Sequence, residues 1–149
     1  MKSATYERTA AEEDRVRDAV EAMWSAISAK NVDGVVSCCT PDFVQFSMAP
    51  PLRTIGPDAT ALAAWFATWR GPIGHESREL GIAVGGDVAY CTSVDRMTGT
   101  KTDGVRVDLW FRSTLGLRQV DGRWLIAHEH ESVPFYMDGS YRASIDLLP

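Results

Sequence analysis

Two long runs in which apolar and polar residues alternate, Val105 to Val120 and Arg123 to Phe135, are joined by the dipeptide Asp121-Gly122. Alternation with period two is the mark of a strand with one buried face, and Asp-Gly supplies the positive φ angles of a two-residue type I′ hairpin turn. A hairpin pinned at Val120 opposite Arg123 fixes every pair behind it. Leu117 then faces Ile126, Leu115 faces His128, Ser113 faces His130 and Phe111 faces Ser132. Paired residues share a face, so this face starts apolar and turns polar at Ser113, His128, His130 and Ser132, as a pocket would. The opposite face carries Arg118 with Leu125, Thr114 with Glu129, Arg112 with Glu131 and Trp110 with Val133. A slip of one residue would exchange the two faces.

Upstream, the pattern changes from helical to extended spacing. Residues 1–8 are polar and expected to fray. Thr9 and Glu12 read as a capping box, and Val16, Val20, Met23, Trp24 and Ile27 follow on one side of a helix that ends at Lys30-Asn31. Val32 to Cys39 forms a second, short helix. Phe43 to Met48 reads as a strand, with Leu52 to Ile55 able to pair back on it. Gly56-Pro57-Asp58 opens a third helix, lined by Leu62, Trp65, Phe66 and Trp69 and closed by Gly71-Pro72. Strands are expected over 77–84 and 88–97, before the hairpin. Residues 136–149 have little periodicity and read as a tail over the body or a partner.

At 149 residues the chain is long enough for one domain, spanning 1–149, with an ordinary core. A hydrophobic fraction of 45% and a net charge of −5 belong to a globular chain, and the basic residues are too scattered to neutralise a phosphate backbone, which disfavours nucleic acid as partner. Cys38, Cys39 and Cys91 have neither disulfide-framework nor metal-ligand spacing, which fits a reduced, cytoplasmic setting. No apolar run approaches the roughly 18 residues of a membrane span, and no signal-like segment opens the chain.

Helices first and an antiparallel meander after them define an α+β layout with the helices on one sheet face. The junction Lys30-Asn31-Val32-Asp33-Gly34, the entry Pro41-Asp42-Phe43, the start Gly56-Pro57 and the run from Asp121-Gly122-Arg123-Trp124-Leu125-Ile126 through His128-Glu129-His130-Glu131-Ser132 resemble the nuclear transport factor 2-like superfamily, in its SnoaL-like and ketosteroid isomerase-like branch. The resemblance covers almost the whole chain. It implies a cystatin-like curved antiparallel sheet wrapped around three N-terminal helices, an α+β cone with an internal pocket, and a homodimer formed through the open sheet face. It does not imply one reaction, because the fold hosts isomerases, cyclases, dehydratases and non-catalytic proteins. The isomerases use a Tyr on the first helix and an Asp at the end of the first strand. Those places hold Met23 and Ser47 here, which argues against that apparatus, while Asp95 corresponds to its third, acidic element.

The candidate catalytic residues are His128, His130 and Asp95. Two histidines two apart on a strand point the same way, and imidazole exchanges protons near neutrality. The same spacing also suits two imidazoles that only satisfy buried hydrogen bonds, or part of a metal site. A metal needs a third ligand, for which His75 and Asp95 have no supporting spacing, so no metal is expected. Trp24, Phe46, Met48, Trp65, Trp69 and Phe111, with Ser113 and Ser132, would line a pocket for a small hydrophobic molecule or would simply fill the core. Trp110, Arg112, Glu129 and Glu131 form the candidate dimer face. Two functions remain open. One is cofactor-independent proton transfer of isomerase, cyclase or dehydratase type; the other is non-catalytic ligand binding or association.

Overall fold

The computed structural model describes residues 2–149, with side chains from Thr9 onward. The elements are α1 (Lys2–Ser28), α2 (Val32–Ser37), β1 (Cys39–Phe46), β2 (Thr54–Ile55), α3 (Ala59–Ala67), β3 (Trp69–Gly85), β4 (Val88–Lys101), β5 (Arg106–Val120) and β6 (Arg123–Ser132). The strands make one sheet in the order β2-β1-β6-β5-β4-β3, antiparallel except where β1 runs parallel to β6. The expected α+β architecture of three helices against a curved sheet is therefore present.

The core forms where the apolar stripe of α1 meets one sheet face. Val16, Val20, Met23 and Trp24 pack with Phe43, Cys91, Phe111, Leu115, Leu117, Trp124 and Ile126. Each such side chain contributes about 1.5–3 kcal/mol when fully withdrawn from water. The hairpin turn is as the sequence predicts, with Asp121 at φ 50° and Gly122 at φ 77°. It is tied to the helix: Trp124 Nε1 donates to Glu12 at 2.8 Å, while Arg15 bonds both Glu12 and the carbonyl of Gly122.

Several boundaries differ from expectation for local reasons. α1 already runs from Lys2, so Thr9 lies inside it rather than at its start; Ala4, Glu7 and Arg8 are good helix formers. The expected fraying of residues 1–8 rests on Met1 and on side chains outside the described residues. α3 is capped by Asp58, whose side chain accepts from the Ala61 amide, which leaves Pro57 before the helix and not in it. It also ends early, because Thr68 Oγ1 donates to the Trp65 carbonyl at 2.7 Å. Trp69 consequently opens β3 opposite Lys101. There it sits with Val35, Phe66 and Ile73 in a second apolar cluster, against which Trp65 packs. The tail folds back on itself through a bridge between Phe135 and Ala143. A half-open cleft of about 400 Å³ within it is lined by Tyr136, Arg142, Ile145 and Asp146, among others.

Candidate functional site

The decisive local feature is a β-bulge. The pairs from Val120–Arg123 to Leu117–Ile126 follow the expected register, but Gly116 then pairs with His128, Leu115 with Glu129, Thr114 with His130, Ser113 with Glu131 and Arg112 with Ser132. Ala127 is the extra residue, and everything beyond it changes side. Leu115 and Ser113 are buried on the helix side, 2% and 3% exposed, so their partners Glu129 and Glu131 face the helices. His128, His130 and Ser132 face outward. Gly116 confirms the assignment, because a Cβ built on it would lie 3.3 Å from that of His128.

The helix side of the sheet thus acquires a floor of acidic and hydroxyl groups. Asp95 on β4 is fully buried, and Ser93 Oγ donates to its Oδ2 at 3.0 Å. His75 on β3 brings Nε2 to 3.5 Å from Asp95 Oδ1, just beyond hydrogen-bond range. The imidazole lies flat on Trp24 of α1, ring centres 3.7 Å apart and planes 10° from parallel. From β1, the Gln45 amide donates to Glu129 Oε2 at 2.6 Å. Ser113 Oγ, Asp95 Oδ1 and His75 Nε2 are buried without a hydrogen-bond partner, although buried polar groups are normally paired.

Burial raises both glutamates above the ordinary carboxylate value. Glu131 keeps part of its surface exposed, yet its carboxyl group is enclosed enough to be raised well above 4.5, first by desolvation and then by the charges of Glu129 and Asp95. The hydrogen bond between the two glutamates lowers Glu129 and raises Glu131. A carboxyl group whose value is raised in the folded state stabilises fold fully below its unfolded value and loses that contribution as pH climbs through the folded one. Relative to the Glu131→Gln variant, wild type is expected to lose thermal stability as pH rises from 4.5. Paired melting curves across that window check it; parallel curves would show that Glu131 titrates as it does in the unfolded chain.

Of the residues singled out from sequence, the structure gathers Asp95, Ser113 and Trp24 on this floor, with Phe111 in the core beneath and its ring 6.3 Å from that of Trp24. Met48 packs at the margin of the same core. The expected convergence of His128 and His130 with Asp95 is corrected: the bulge sets them on the outer face, each edge-on to Phe46 at 4.9 and 5.5 Å. His128 Nδ1 lies 2.8 Å from the Val44 carbonyl. Phe46 and Ser132 therefore leave the pocket lining, while Trp65 and Trp69 belong to the second cluster. The expected dimer face loses Glu129 and Glu131 for the same reason. Trp110 and Arg112 stay on the outer side, where the Arg78 and Arg96 guanidinium groups cover the Trp110 ring at 4.7 and 5.6 Å. Met23 is core and Ser47 caps a turn at the Ala49 amide, so neither place supplies the isomerase groups. Sequence reasoning weighed His75 only as a metal ligand and passed over Gln45. The even spacing of Glu129 and Glu131 was a signal for a same-face acidic pair.

The family model for the SnoaL-like domain matches residues 16–136. The chain belongs to the SnoaL-like family. No curated protein matches significantly. Among solved structures, this SnoaL-like chain is similar to an NTF2-like protein of unknown function from Pseudomonas putida, at 26% identity over 94% of this chain and 98% of that one, with a TM-score of 0.83. It is also similar to a putative scytalone dehydratase from Novosphingobium aromaticivorans, at 17% identity over 85% and 87% of the two chains and a TM-score of 0.75. The association domain of C. elegans CaMKII shares the fold at 15% identity over 85% and 99%, TM-score 0.69. At these last two identities the likeness is one of fold alone, and the fold serves more than one purpose.

Proposed function

We propose that this SnoaL-like domain is an enzyme that moves a proton on a small, largely apolar molecule without an organic cofactor, using His75 and Asp95 as its acid–base pair. The observation that carries this reading is the approach of His75 Nε2 to the fully buried Asp95 under the Trp24 ring, with the facing atoms of both groups unpartnered. A catalytic base needs an orienting partner and a free valence toward substrate, and such contacts are often long before substrate closes them. Asp95 orients the imidazole, and His75 takes the proton. The unpartnered Ser113 hydroxyl donates a hydrogen bond to the oxygen on which charge develops.

The test is deuterium uptake from D2O into an apolar benzylic ketone such as 2-tetralone, followed by NMR. Wild type is expected to exchange the protons next to the carbonyl faster than buffer does. A rate equal to that of buffer across a panel of such ketones counts against the reading.

Association with a second copy is a further part of the proposal. The outer sheet face carries Tyr90, 58% exposed, in register with Gly116, which pairs in turn with His128. An open aromatic position of this kind suits pairing of two sheets. Sedimentation is expected to give a dimer that Tyr90→Glu dissociates; a wild-type monomer at micromolar concentration would remove this part.

A further inference from the structure

Every other carboxylate of the sheet that makes an ion pair does so with an arginine. Arg78 and Arg96 hold Glu76, Arg96 forms two hydrogen bonds to Asp108 at 2.8 and 2.7 Å, and Arg118 binds Asp42. On the helix side, Asp95, Glu129 and Glu131 share one floor, and among the described residues no lysine or arginine pairs with any of them. The groups that face them are few. β3 presents His75, β4 the Ser93 hydroxyl bonded to Asp95, β1 the Gln45 amide and the Cys39 thiol, which burial and then the charge of Glu129 push up, β5 the Ser113 hydroxyl and α1 the apolar surface of Val16, Val20, Met23 and Trp24. His128 acts on Glu129 only from the far side of its own strand, and the field of the exposed Arg17 is felt at Cys91.

Burying carboxylates without a counter-charge is costly, and one further observation points to a group that meets them. Asp95 Oδ1 and Ser113 Oγ are unpartnered although their residues are 0% and 3% exposed. An organic cation suits this floor, because its N–H donors can be spread over several acceptors while its carbon body lies against Trp24 and the apolar face of α1.

We propose that the ligand of this site is a small apolar molecule bearing a protonated amine, bound by Asp95, Glu129 and Glu131. This rests on the site described above and names the class of molecule it takes. Burial raises both glutamates, so an ammonium group that meets them displaces a proton, and binding strengthens as pH rises through their raised range until the amine itself loses its charge.

The experiment is calorimetric titration of the full chain with 2-phenylethylamine, 2-phenylethanol and phenylacetate, which share one ring and differ in the charge of the head group. The amine is expected to bind about 10–100-fold more tightly than the alcohol, as charge-assisted hydrogen bonds are worth about 1.5–3 kcal/mol, and phenylacetate more weakly than either. Amine affinity should rise as pH is raised above the ordinary glutamate value of 4.5, with proton release detected as a dependence on buffer ionisation enthalpy. Glu131→Gln should remove most of the advantage over the alcohol. Equal affinities for amine and alcohol, tighter binding of phenylacetate, or no binding of the amine each overturns the inference without any variant having to fold. Exchange into 2-tetralone is measured separately, so a failure here with exchange intact leaves the proton-transfer reading standing, and the converse removes that reading alone.

Discussion

Asp95→Asn is expected to lower the rate of deuterium exchange about 10²–10⁴-fold, the usual contribution of a positioned acid–base system, with little change in thermal stability. Asparagine keeps the volume of a side chain that is wholly buried and can still accept from Ser93, so packing is conserved. What disappears is the carboxylate charge that orients His75. Loss of that charge also relieves the field that raises both glutamates, which offsets any cost of the buried amide. Exchange rates by NMR and melting curves on the same preparations separate the two effects. Unchanged exchange would leave His75 acting without its partner and would remove Asp95 from the chemistry.

Deleting Ala127 should be far more damaging than any substitution there. Without the extra residue the hairpin regains simple alternation, which turns His128 and His130 toward the helices and drives Glu129 and Glu131 to the outer face. The Gln45–Glu129 bond and the T-shaped contacts of Phe46 with both histidines break together. A loss of at least about 3 kcal/mol is expected, in the tail of single-site effects, whereas Ala127→Gly keeps the register and costs about 1 kcal/mol or less. Urea unfolding of the two variants beside wild type is the measurement. A deletion variant as stable as wild type would mean that this strand is not pinned by its bulge.

These two expectations turn on different levels of what the residues disclose. The hairpin was legible because its turn is chemically specified: Asp121-Gly122 suits positive φ, and both residues adopt it. The helix stripe from Val16 to Trp24 was legible because its spacing matches the helical repeat, and the whole stripe is buried. The face assignment failed beyond Ile126 because a bulge needs no particular residue. Ala127 has ordinary chemistry, and alternation on either side of it is intact, so only the pairing partner reveals the slip. His-Glu-His-Glu then offers two imidazoles or two carboxylates to the same place with equal local plausibility. Asp95 was found because its strand pairs without interruption, Val88 to Thr100 against Arg106 to Arg118. His75 was missed because β3 begins at Trp69, eight residues before the strand expected there, where Gly71 and Pro72 read as a stop.

The parallel pairing of β1 with β6 also has a kinetic meaning. Asp95, Ser113, Glu129 and Glu131 lie on three successive antiparallel strands, whose contacts close over short stretches of chain. Gln45 meets Glu129 across 84 positions, and closing a flexible loop of that size costs roughly 4 kcal/mol of chain entropy. Contacts of such long range are made late in folding, after local hairpins have reduced the search. The acids of the floor thus come from a local meander, whereas Gln45, the donor that fixes Glu129, joins them only through a long-range closure of the chain.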